Sequence, residues 1–167
     1  MKLYALPILF LFAFCGCNNN ETTKKEREGE PTIYSVGGDD TEMNEAIKTA
    51  NQTLDKFNAA LKSHNPNFGY FALKTRFKTP TGGEHIWVSN ITVENNRYFG
   101  IVDNLPEATT DVKIGDTVQI ENKNISDWMY IEQQKLRGGF TLRLLRKRMS
   151  EAERKQFDEE NGLIIED

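Results

Sequence analysis

The chain has 167 residues, 21 of them basic and 25 acidic, a formal charge of −4 and two cysteines. A slight acidic excess gives no reason to expect a nucleic-acid partner. Both cysteines, Cys15 and Cys17, lie near the start, so the remainder has no thiol nucleophile, disulfide or cysteine zinc ligand.

Lys2 precedes an apolar run from Leu3 to Phe14, followed by Cys15-Gly16-Cys17 and the polar Asn18-Asn19-Asn20. The run contains Pro7 and falls well short of the ~20 apolar residues that a spanning helix needs. A basic start, a short apolar stretch and small residues before a cut describe a secretory signal. Phe14-Cys15-Gly16-Cys17 resembles the lipobox of bacterial lipoproteins, with Gly16 before the acceptor Cys17 and Phe14 departing from the usual Leu. That resemblance implies loss of residues 1–16, lipidation of Cys17 and a partner in the membrane, reached through the lipid anchor. Two or more acyl chains hold a protein stably where one does not. Asn18, where some lipoproteins carry Asp, points to the outer membrane of a bacterial envelope. The alternative is an ordinary secretory signal with incidental cysteines.

Residues 17–40 read as a flexible linker. The stretch is polar and charged, with Lys24-Lys25-Glu26-Arg27-Glu28 at its centre, and Gly37-Gly38 closes it. A single globular domain is expected over 41–160. Met43, Ala46, Ile47, Ala50, Leu54, Phe57 and Leu61 recur at three- and four-residue spacing, which predicts one long helix from Thr41 to Ser63. Strands follow at Phe71–Phe77, His85–Val93 and Tyr98–Asp103, with Asn95-Asn96 as a hairpin turn. After a connection from Asn104 to Gly115, Asp116–Ile120 and Asp127–Ile131 read as a fourth and a fifth strand. Gln133-Gln134 turns the chain into a sixth, Leu136–Arg146, bent at Gly138-Gly139. Ser150-Glu151-Ala152-Glu153 has the spacing of a capping box, which starts a short C-terminal helix ending at Gly162, with 161–167 as a loose tail. The expected fold is α+β. A long N-terminal helix packs on a coiled antiparallel sheet of five to six strands, a partial barrel or roll, and a short C-terminal helix follows.

Glu84-His85-Ile86-Trp87-Val88 and Phe99-Gly100-Ile101-Val102-Asp103-Asn104-Leu105-Pro106 are the first distinctive segments. Asp116-Thr117-Val118, Ile125-Ser126-Asp127-Trp128-Met129-Tyr130 and Leu136-Arg137-Gly138-Gly139-Phe140-Thr141 complete the set. Together they resemble the bacterial family named domain of unknown function 2314, over roughly Glu45 to Phe157. The resemblance implies a domain boundary and carries no catalytic residue with it.

Glu84, His85, Asp103 and Asp127 are weak catalytic candidates, because a histidine with carboxylates at strand ends could build an acid–base or metal site. No metal-ligand spacing and no cofactor motif accompanies them. The dull alternative is an edge strand beginning at Glu84 and a turn capped by Asp127. Trp87, Asp127, Trp128, Tyr130, Arg137 and Arg143 form a candidate binding patch, since Trp, Tyr and Arg dominate interface hot spots. The basic stretch Lys135, Arg137, Arg143, Arg146, Lys147 and Arg148 contains no acidic residue; it reads as a solvated face, with a site for an anionic partner as the functional alternative. The leading expectation is a lipid-anchored, non-catalytic envelope module that binds an unknown protein or envelope polymer, an immunity or inhibitor protein being one form. The rival is a small hydrolase or ligand-binding enzyme using Glu84, His85 and Asp127.

Overall fold

This computed structural model describes residues 23–27, 30–35, 40–80 and 82–166. The signal-like run, the lipobox with Cys17, and Gly37-Gly38 lie outside the described residues. The chain divides after Asp40 into two compact units. In the first, β1 (Thr23–Arg27) and β2 (Glu30–Ser35) pair antiparallel. That hairpin falls in the stretch read as a structureless linker. The β-branched and aromatic run Thr32-Ile33-Tyr34 favours the extended state over the charged surroundings.

The second unit begins with α1 (Thr41–Gln52) and α2 (Leu54–Ser63). The expected single helix is therefore two, and the cause comes from elsewhere in the chain. The Trp128 indole Nε1 donates to the Ala50 carbonyl at 2.9 Å, where a continuous helix would have accepted from Leu54. Thr53 turns its hydroxyl back to the Thr49 carbonyl at 2.7 Å and leaves helical geometry.

The strands are β3 (Phe68–Thr79), β4 (Gly82–Glu94), β5 (Arg97–Val102), β6 (Thr117–Ile120), β7 (Ile125–Glu132) and β8 (Lys135–Gly138). They form one antiparallel sheet in the order β6-β5-β4-β3-β7-β8. The sheet is open, with β6 and β8 as its outer members, so the partial barrel expected from sequence does not close by strand pairing. It must nonetheless curl. Ile120 pairs with Tyr98, and Tyr98 with Val93; Ile125 pairs with Thr75, and Thr75 with Ile86. In a flat sheet, four strand spacings and the Ile86-to-Val93 offset would put Ile120 and Ile125 ~30 Å apart. The four residues between them, five Cα steps, reach ~17 Å at most. Register shifts interrupt β3 around Tyr70 and at Lys74/Thr75 and β4 around Asn90, and Tyr70 and Asn90 have positive φ (47° and 53°). Neither residue is a glycine, and the expected bend at Gly138-Gly139 proves to be the end of a strand.

The expected sixth strand is the largest correction. It stops at Gly138, and Phe140–Arg148 forms α3. Gly138 and Gly139 both have positive φ, which turns the chain out of the sheet. The triplet Arg146-Lys147-Arg148 fills the last turn of α3 and complements its dipole. α4 (Glu151–Asn161) starts from the expected capping box and ends on Gly162 in the left-handed conformation. The tail is not loose: Ile164 bridges β8 at Lys135. Asn95-Asn96 and Gln133-Gln134 both form turns with positive φ.

The inner face of the sheet carries Leu73, Val88, Ile125 and Trp128, which pack with Ala50 and Phe57 of the helices and with Ile91, Tyr98 and Ile120. The opposite, outer face carries a smaller cluster of Ala72, Met129 and Leu136, with Trp87, Ile131, Leu142 and Ile165 against it. Among the described residues no helix is long and apolar enough to cross a membrane.

Candidate functional site

The outer face is ordered by register. Ala72 of β3 lies beside Ser89 and Met129, Lys74 beside Trp87 and Asp127, and Arg76 beside His85. Alternation puts all of these on one side, so three strands bring a lysine, a carboxylate, an imidazole and an indole together.

Asp127 is fully buried, and its carboxylate is saturated. Oδ1 accepts from the amides of Trp128 and Phe140 at 2.8 and 3.1 Å; Oδ2 accepts from the Thr141 amide at 2.8 Å and its hydroxyl at 2.7 Å. Phe140 and Thr141 open α3, so Asp127 caps that helix from β7, and its charge faces the positive end of the helix dipole. Burial pushes Asp127 up, while Thr141 and Lys74 pull against it. Lys74 is pushed down by the same burial, opposed by Asp127. Its ammonium donates to Thr141 Oγ1 at 3.3 Å and sits 5.6 Å from the centre of the Trp87 ring.

His85 Nδ1 lies 2.8 Å from Ser126 Oγ, and that hydroxyl donates to the Lys74 carbonyl at 3.2 Å. Ser126 is 2% exposed, so the pair is closed to substrate. Burial first, then the charges of Lys74 and Arg76, push His85 down to about 4.

The other carboxylates are elsewhere. Glu84 falls on the opposite side of β4 from His85, and its two oxygens accept from the consecutive amides of Glu107, Ala108 and Thr109 at 2.8–3.0 Å. It ties down the connection between β5 and β6. Asp103 accepts the Tyr70 hydroxyl at 2.5 Å; burial and this carboxylate hold the phenol above its ordinary range. The four catalytic candidates therefore do not converge. Among the described residues no three His, Asp, Glu or Cys side chains group closely enough to hold a metal.

The expected patch also divides. Trp128 is buried between Phe57, Tyr130 and Phe140. Tyr130 stacks on Phe71, with ring centres 5.2 Å apart. Arg137 pairs with Glu132 at 2.6 Å, and Arg143 donates to the carbonyls of Gly138, Leu136 and Glu166. Only Trp87 and Asp127 share the outer face, and Asp127 is covered. What stays open there is Tyr70, 50% exposed, and Ile101, 36% exposed in the row of Ser89, with Leu105, Asp103 and the half-buried Trp87 nearby in sequence or register. Tyr70 and Lys74 were not singled out from the sequence. Nothing local marks Tyr70, and Lys74 reads as an ordinary solvated strand lysine until α3 covers it.

A half-buried lysine beside a buried carboxylate under a helix start, and an open aromatic face on a six-stranded antiparallel sheet, define a small α+β domain. The chain belongs to the domain of unknown function 2314 family, described as an uncharacterized protein conserved in bacteria, whose pattern matches residues 40–165. It is 32% identical over 121 residues to the uncharacterized protein YegJ of Escherichia coli, which covers 72% of this chain and 78% of that one. It is 33% identical over 84 residues to a putative ankyrin repeat protein of Neisseria meningitidis, half of this chain and a third of that protein. No solved structure matches.

Proposed function

We propose that this chain is an exported lipoprotein, anchored through Cys17, whose domain binds a protein partner of the envelope with its outer sheet face and performs no catalysis. One observation carries the reading. The groups that could do chemistry are engaged in holding the fold: Glu84 on three amides, Asp127 on three amides and a hydroxyl, Ser126 on a carbonyl. The aromatic and aliphatic groups at Tyr70, Trp87 and Ile101 remain available beside polar Asp103 and His85, which is the composition of an interface centre with a polar rim. An immunity or inhibitor role is the specific form such a surface would take. The match to a third of a larger protein named for ankyrin repeats supports a unit used as a module.

A photo-crosslinking side chain at Ile101 in living cells should yield a discrete protein adduct, and one at exposed Lys56 on α2 should not. Equal labelling at both positions, or none at Ile101, defeats the reading. The anchor is tested separately by mass spectrometry of the mature amino terminus, where an unmodified Cys17 peptide would refute it.

A further inference from the structure

The segment Leu163–Glu166 lies along the outer edge of β8 as a short extra strand. The Leu136 amide donates to the Ile164 carbonyl at 3.0 Å, and the Ile164 amide donates to the Gln134 carbonyl at 2.8 Å. Ile165 packs into the outer cluster with Leu136 and Met129, while Ile164 points away and is 47% exposed. Glu166 then meets the basic stretch. Lys135 reaches one carboxylate oxygen at 2.5 Å and Arg137 the other at 3.5 Å, and the Arg143 guanidinium donates to the Glu166 backbone carbonyl. Three cations on β8 and α3 thus converge on one acidic residue.

The attachment is light. It consists of two backbone hydrogen bonds, one guanidinium-to-carbonyl hydrogen bond, one apolar side chain and exposed ion pairs, which solvent screens. The arm that delivers the segment, α4, has no buried residue and ends on a glycine hinge, Gly162. Its ion pair between Arg146 and Asp158 holds it to α3. Removing the segment would leave the Leu136 amide and the Gln134 carbonyl without their strand partners and an open slot beside Leu136, and it would take the Glu166 carboxylate from Lys135 while Arg137 keeps Glu132. Such an edge is a template for another strand.

We propose that the β8 edge is a receiving site for an extended peptide of apolar–acidic sequence, occupied in cis by residues 163–166 as a resident stand-in. The chemistry of that stand-in defines the ligand. It has an aliphatic side chain for the Leu136–Met129 slot, a carboxylate one residue later for Lys135 and Arg137, and a backbone that supplies one donor and one acceptor. The site is distinct from the open face around Ile101, and its test is independent of that one.

The test uses the full-length chain and a fluorescent peptide with the sequence of residues 162–167, Gly-Leu-Ile-Ile-Glu-Asp. The intact chain binds it weakly, because the resident segment competes. Ile164→Pro removes the resident amide donor, and this variant should bind the peptide at least tenfold more tightly. A peptide with Lys in place of the Glu should lose tenfold or more. In the unaltered chain, excess peptide should speed exchange of the Ile164 amide while the Leu136 amide stays protected, a readout that does not depend on the variant folding. Equal binding to both chains, indifference to the Glu-to-Lys change, or unchanged exchange at Ile164 would each overturn the proposal.

Discussion

Asp127→Asn is the substitution that most directly tests why α3 exists. The aspartate accepts four hydrogen bonds in a site with no solvent access. Asparagine keeps one accepting oxygen. With that oxygen at the Oδ1 position, Trp128 and Phe140 remain satisfied and the Thr141 hydroxyl can rotate to accept. The Thr141 amide then faces an NH2 group. One buried, unsatisfied donor costs ~1–3 kcal/mol, and loss of the negative charge at a helix start adds ~0.3–2 kcal/mol. Lys74 also loses the carboxylate opposite it, which drives it further toward the neutral form. The total is ~2–4 kcal/mol, against ~1 kcal/mol for an ordinary exposed cap. Urea unfolding followed by circular dichroism should show the midpoint falling by ~1–2 M, from a slope of ~2 kcal/mol per M. Amide exchange should quicken first at Phe140 and Thr141. A loss below ~1 kcal/mol, with the α3 amides unaffected, would refute the view that this carboxylate organises the helix.

Three further outcomes are expected. Gly138→Ala should destabilise the fold by ~3 kcal/mol or more, because a Cβ there would lie 2.2 Å from the Trp128 carbonyl oxygen, with φ already at +72°; near-native thermal stability would contradict that close approach. His85, lowered to about 4, should show an NMR titration midpoint well below 6.5. The unfolded chain binds the proton more readily between those values, so the contribution of His85 to stability is present above pH 6.5 and lost as pH falls toward 4; a midpoint at 6.5 contradicts its environment. Glu166 is lowered beneath 4.5, with the Lys135 hydrogen bond the first cause. Its hold on the β8 edge is thus present above pH 4.5 and lost as pH falls through the lowered value, so protection of the Ile164 amide, relative to its intrinsic exchange rate at each pH, should fall in acid before that of Leu73 does.

The parts of the fold legible in advance are those with local causes. The turns at Asn95-Asn96 and Gln133-Gln134 need residues that tolerate positive φ, and the capping box at Ser150 is closed within four residues. Alternation within β3 is local too, and it puts Phe71, Leu73 and Phe77 together in the inner cluster. The sixth strand failed because Phe140, Leu142 and Leu144 alternate as a strand would, and the signal for helix was split. One half, the cationic triplet Arg146-Lys147-Arg148, suits a solvated strand face as well as a helix C-terminus; the other, Asp127, lies fourteen residues away from Thr141.

By itself, then, the amino-acid order determined the α+β class, the succession from β3 to β7, the turns at Asn95-Asn96 and Gln133-Gln134 and the last helix, since each rests on neighbours a few residues apart. It also identified the family. Tertiary structure alone decided where the first helix breaks, that a helix follows Gly139, and which side of the sheet each candidate residue faces. Those outcomes depend on partners such as Trp128 and Ala50, 78 positions apart, that meet only when the first helix packs on the sheet. A buried polar group must find its hydrogen bond wherever the fold offers one, and that need overrides local propensity.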